Sequence, residues 1–110
     1  MDPSLVRDLI GDLEAEINNG GFDQFFFNSA GDRTAQIVEA LEAIGAAHTA
    51  GIVRAAAAKF PGGVVPEDRT ARQGLLLESV SPESDAFEAE DAAFLEYRDN
   101  LEDLVRRNAV

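Results

Sequence analysis

Four phenylalanines, Phe22, Phe25, Phe26 and Phe27, fall within six residues of a 110-residue chain that has only seven. Asn18-Asn19-Gly20-Gly21 precedes them and Asn28-Ser29-Ala30-Gly31-Asp32 follows. A stretch this apolar does not stay in a solvated loop, because burying one such ring is worth about 1.5–3 kcal/mol. It is also much shorter than the roughly 20 residues needed to cross a bilayer. The segment therefore specifies a packed corner between two turn signals, on which the rest of the chain folds.

Helical periodicity surrounds that corner. Leu5, Leu9, Leu13 and Ile17 recur every four residues and mark the buried stripe of a first helix. Asp2 or Ser4 suits its N-cap, Pro3 suits its first turn, and Asn18 to Gly21 closes it. The phenylalanines then form a short helical segment, broken by Asn28 to Gly31. Asp32 is expected to cap a second helix with Ile37, Leu41 and Ile44 on its apolar face, stopped at Gly45. Ala46 to Phe60 reads as a third helix that Pro61 forbids to continue. Gly51 inside it costs helix stability, which implies a close helix-helix contact. A loop to Pro66 and a short helix from Asp68 to Leu77 follow. Ser81 is expected to cap a last helical region with Pro82 at its first position. Phe94, Tyr97, Leu101 and Leu104, at +3, +7 and +10, give a terminal helix one amphipathic face. No period-two alternation marks a strand. The predicted fold is all-α, a single domain over residues 1–110 with about five or six helices.

Little in the chain is equipped for catalysis. Cysteine is absent, which excludes a disulfide framework, a thiolate zinc site and a cysteine nucleophile. The single histidine, His48, has Ile44 and Ile52 at i±4 and reads as a surface or groove histidine without metal-ligand company. Asn18 to Asp32 has calcium-loop residue types, but phenylalanines occupy its middle. Neither Gly20-Gly21 nor Gly62-Gly63 carries the remainder of a phosphate loop. The expectation is no catalytic residue, no metal and no cofactor. Neither a signal segment nor a membrane span is legible, which points to a cytoplasmic protein.

Charge is the second constraint. Twenty-one acids stand against nine bases, a net charge of -12. Such a chain repels nucleic acid and anionic membrane and attracts basic surfaces. Lys59 is the only lysine and alanine is abundant, so a GC-rich genome accounts for part of the acidity. It does not account for the clustering. Between Glu78 and Asp103 there are ten acids and one base, Arg98, whereas the other 84 residues carry 11 acids and eight bases. The candidate contact residues are Glu83, Asp85, Glu88, Glu96, Asp99, Glu102 and Asp103. On a continuous helix Glu96, Asp99 and Asp103 share one face, opposite much of the apolar stripe. Carboxylates about 5–6 Å apart can imitate a row of backbone phosphates to a basic groove.

Glu16-Ile17-Asn18-Asn19-Gly20-Gly21-Phe22-Asp23-Gln24-Phe25-Phe26-Phe27-Asn28 resembles the hallmark of a bacterial family of small all-helical proteins that includes a DNA mimic. The likeness continues through Glu39-Ala40-Leu41, Ile44-Gly45-Ala46, Phe60-Pro61-Gly62-Gly63, Pro66, Arg72, Asp91-Ala92-Ala93-Phe94 and the tail from Leu101 to Asn108. The resemblance implies an all-α fold. It also implies a homodimer with a negatively charged surface that occupies the DNA-binding face of a transcriptional regulator. The hallmark residues Asn19, Gly20, Gly21, Phe22, Gln24, Phe25, Phe26 and Asn28 read as scaffold. Partner contact then falls to the surface carboxylates, and the expected partner is a basic protein such as a DNA-binding regulator. Nucleic acid and membrane are not expected partners. Two rivals stand beside this reading. One is an immunity or antitoxin-like inhibitor of a basic toxin. The other is a small ligand binder or enzyme using a groove between Asn19, Gln24, His48 and Arg72.

Overall fold

Asp2, rather than Ser4, caps the first helix. Its carboxylate accepts the Leu5 N–H at 3.3 Å, with Pro3 in the first turn. The computed structural model describes residues 1–109. Those residues contain six α-helices and no strand. Helix α1 (Pro3–Phe27) buries Val6, Leu9, Ile10, Leu13 and Ile17 along one side. It kinks at Gly20 (φ -154°, ψ 16°) and Gly21 (φ 70°, ψ -167°). The expected helix stop and the short aromatic segment are both present, as two limbs of one kinked helix.

A 3-10 turn, Ser29–Arg33, leads into α2 (Thr34–Ala43), and α3 (Ala47–Ala57) follows. A second 3-10 turn, Pro61–Gly63, precedes α4 (Arg69–Leu75). The wider π turn Leu76–Val80 continues α4. Asp68 caps α4 by accepting the Ala71 N–H at 2.9 Å. The chain ends in α5 (Glu88–Leu95) and α6 (Leu101–Arg107).

Four local expectations are corrected. Asp32 does not cap α2, because its carboxylate is drawn to Arg72 at 2.6 Å. Gly51 is exposed, and a Cβ built there meets nothing within 4 Å, so no close helix contact explains it. Ser81 and Pro82 start no helix. Ser81 is buried in a turn, where its hydroxyl oxygen accepts the Ala86 N–H, and α5 begins only at Glu88. The single terminal helix is two helices. Residues 96–100 separate them, and Tyr97 sits at φ 48°. Asn100 restarts the helix by accepting the Asp103 N–H at 3.1 Å.

One apolar cluster joins all the long helices. Six of the seven phenylalanines are buried in it, and only Phe27 stays out, 41% exposed. Phe26 is central, with ring centroids 4.9 Å from Phe60, 5.1 Å from Phe25 and 5.3 Å from Phe87. Such edge and tilted contacts add to the area each ring buries. No helix is long and apolar enough to cross a membrane among the described residues.

Candidate protein-binding face

The hallmark residues are spent on the kink in α1. Beyond Gly21 the second limb needs partners for its first N–H groups. Asp91, from α5, supplies one: its Oδ1 accepts the Phe22 N–H at 2.8 Å. On the other side of the kink, Glu16 Oε2 accepts from Gln24 at 2.9 Å and from Asn28 at 3.0 Å. Gln24 Oε1 accepts from Asn19 at 2.9 Å. These side chains bridge the two limbs and hold the angle between them. Burial pushes the Asp91 carboxyl above its ordinary value. The Phe22 N–H opposes that rise, while Asp23, Glu90 and Glu88 add to it by repulsion. The charged form is therefore held at a cost above the folded pKa, and that cost fades as pH falls through it.

A substitution at Gly21 tests this arrangement. Its φ/ψ pair lies in a region open essentially to glycine alone, and an added Cβ would lie 2.4 Å from Asp91 Oδ2. Gly21→Ala should destabilise the fold by about 2–4 kcal/mol, through backbone strain plus the displaced cap. Gly45 is the control. It also has a positive φ, 82°, but open space around its Cβ position. Gly45→Ala should cost only about 1–2 kcal/mol. Urea melts of the two variants check the difference.

Arg72 is the second brace. It is fully buried and all its donors are engaged. Nε donates to Phe26 O at 2.6 Å. Nη1 donates to Pro66 O and Glu67 O at 3.0 and 3.2 Å. Nη2 donates to Asn28 O at 2.9 Å and Asp32 at 2.6 Å. The corner after the phenylalanines and the loop before α4 are thus tied to one guanidinium. No groove joins Asn19, Gln24, His48 and Arg72. Asn19 and Gln24 bond each other, Arg72 has no donor left, and exposed His48 lines a separate cleft between α3 and α5.

The acidic segment divides into two populations. Asp99 is not a surface row member. Its Oδ2 accepts the Thr49 N–H at 2.8 Å and the Thr49 hydroxyl at 2.9 Å, capping α3 from across the fold. Glu96 lies at the end of α5 and pairs with Arg98. Glu102 and Asp103 stand in the first turn of α6 and pair with Arg106 and Arg107 one turn on. There they complement the helix dipole. Glu90 pairs with Lys59 at 2.7 Å. The break at residues 96–100 removes the predicted single face of Glu96, Asp99 and Asp103. Tyr97 fastens that break to α1, accepting from Asn18 at 2.8 Å and donating to Glu14 at 3.1 Å.

The second population is Glu78, Glu83, Asp85 and Glu88. All four are exposed and none has a cation or hydrogen-bond partner among the described residues. They run from the π turn, through the loop, to the start of α5. Asp23, on the aromatic limb of α1, lies near enough to Asp91 to raise its pKa, as Glu88 does. Sequence spacing did not single out Asp23 as part of this face. Its proximity comes only from the kink.

The fold and this face describe a small all-α scaffold with a concentrated set of exposed carboxylates that lack partners among the described residues. The chain belongs to the DMP19-like protein family, whose family model matches residues 5–109. No curated protein and no solved structure matches it.

Proposed function

We propose that this protein binds a basic protein surface in the way a DNA mimic does, occupying the site of a DNA-binding regulator that otherwise holds phosphates. The observation that carries the reading is the unpaired state of Glu83, Asp85 and Glu88 beside Asp23. Carboxylates already used as caps or in i,i+4 pairs have local reasons to exist. Glu83 and Asp85 have none, and Glu88 has only its place in the first turn of α5, in a chain of net charge -12. Uncompensated charge of this kind steers encounter with an oppositely charged partner. Membership of the family supports the same reading, and the contact face moves from the terminal helix to the loop and the start of α5.

Replacing Glu83, Asp85 and Glu88 together by Gln, Asn and Gln tests it. The positions are exposed, so thermal melts should match the parent. The association rate with a partner regulator should fall roughly tenfold at low salt, and less once the Debye length shrinks below about 8 Å. The matching triple change at Glu96, Glu102 and Asp103 should have the smaller effect, since those charges are already paired. Equal rates for parent and loop variant would count against the proposal.

A further inference from the structure

Beside the unpaired carboxylates lies a shallow groove of about 380 Å³. Its floor is apolar: Phe27 from the aromatic limb, with Leu76 and Leu77 from the π turn. Phe27 and Leu77 are 41% and 54% exposed, unusual for large apolar side chains in a chain that buries its other six phenylalanines. Gly20, Asp23, Gln24 and Ser84 complete the lining. Ser84 lies between Glu83 and Asp85 and adopts a positive φ of 56°, which a non-glycine residue rarely takes. The turn thus sets two carboxylates beside an apolar floor, with a third acid, Asp23, in the wall and Glu78 next to Leu77 in the chain. Among the described residues, no basic side chain lines this groove.

We infer that the groove seats a protein segment carrying one apolar anchor flanked by lysine or arginine. This rests on the proposed function and specifies its partner. Phosphate mimicry alone needs only charge, and a row of backbone phosphates offers no apolar counterpart to Phe27 and Leu77. A helix of a DNA-binding protein that presents basic residues around a leucine or phenylalanine matches both the apolar floor and the acidic rim. Apolar contact at the centre with charge around it is the usual division of labour in an interface.

The test uses two short synthetic helical peptides with the same lysine and arginine pattern, one with a central leucine and one with serine there. Affinities are measured for the full chain and for Leu77→Ser, whose site is exposed enough to leave the fold intact. The leucine peptide should bind the parent roughly tenfold more tightly than the serine peptide, and Leu77→Ser should erase that ratio. Raising the salt should weaken both peptides but leave the ratio in place. Amide shifts in NMR spectra should centre on Asp23, Phe27, Leu77 and Ser84. Equal binding of the two peptides overturns the groove while leaving a charge-only mimic intact. Shifts centred elsewhere overturn it as well. So does a concentration-dependent dimer that Leu77→Ser abolishes, because the occupant would then be a second copy of this chain. Failure of both peptides to bind the parent at low salt overturns both the groove and the acidic-face reading.

Discussion

Phe26→Ala is expected to lower the unfolding free energy by about 3–5 kcal/mol, the range for removing a fully buried aromatic ring. Phe26 has no exposed surface, and its ring touches Phe22, Phe25, Phe60 and Phe87. These partners come from the kinked limb of α1, the end of the α3 region and the turn before α5. One deletion therefore opens a void where three parts of the chain meet. Native stabilities of about 5–15 kcal/mol leave little margin for such a loss. Phe27→Ala, one residue on, should stay within about 0.5 kcal/mol of the parent, because its ring is partly solvated. Thermal and urea melts of the pair check this, and similar melting of the two variants would contradict the assignment of core and surface.

Arg72→Leu should be equally severe, at about 3–5 kcal/mol, for a different physical reason. Leucine fills part of the volume but abandons four backbone carbonyls and Asp32. Each buried acceptor left without a partner costs about 1–3 kcal/mol, partly relieved where water enters. Arg72→Lys should restore little, since a single ammonium cannot reach acceptors spread around a planar fork. Asp32 adds a pH signature. The Arg72 hydrogen bond holds its carboxyl below the ordinary value. That contribution is complete above the unfolded value and is lost as pH falls through the lowered folded one. The parent should therefore lose stability on acidification in a window that is reduced in Arg72→Leu, where Arg69 alone is left to favour the charged carboxylate. Equal melts for Arg72→Lys and the parent would show that the fork is dispensable.

Much of this fold is legible from local signals. The four-residue recurrence from Leu5 to Ile17 marks the buried side of α1, and Asp2 caps where local spacing allows it. The Asn19-Gly20-Gly21 stop is visible because glycine is the residue such a bend needs. Phe22, Phe25 and Phe26 keep helical spacing, while Phe27 falls off their stripe, and that offset is the available sign of its exposure. The terminal break is harder to read. The recurrence from Phe94 to Leu104 describes one face only if the helix is continuous, and neither glycine nor proline marks residues 96–100. Asn100 followed by Glu102 and Asp103 is a helix-start signature, and it does mark where α6 begins.

What local spacing cannot carry is the work of distant caps. Asp91 and Asp99 look like two more members of an acidic run, yet each satisfies backbone N–H groups 69 and 50 residues away. Net charge likewise counts Glu102 and Asp103 the same as Glu83 and Asp85, although only the latter pair lacks partners among the described residues. The candidate site emerges by subtraction. Within the segment from Glu78 to Asp103, once capping and pairing are assigned, the carboxylates left over gather around one loop and beside one apolar groove.

The central claim is that these carboxylates take the place of DNA phosphates on a partner. Fluorescence anisotropy of labelled operator DNA bound to a purified partner regulator tests it most directly, with native mass spectrometry of the same mixture. Added parent protein should release the DNA competitively and give regulator–protein and regulator–DNA complexes but no species holding all three. The Glu83, Asp85 and Glu88 triple variant should release DNA only at much higher concentration. A stable ternary complex, or equal displacement by that variant and the parent, would contradict the account.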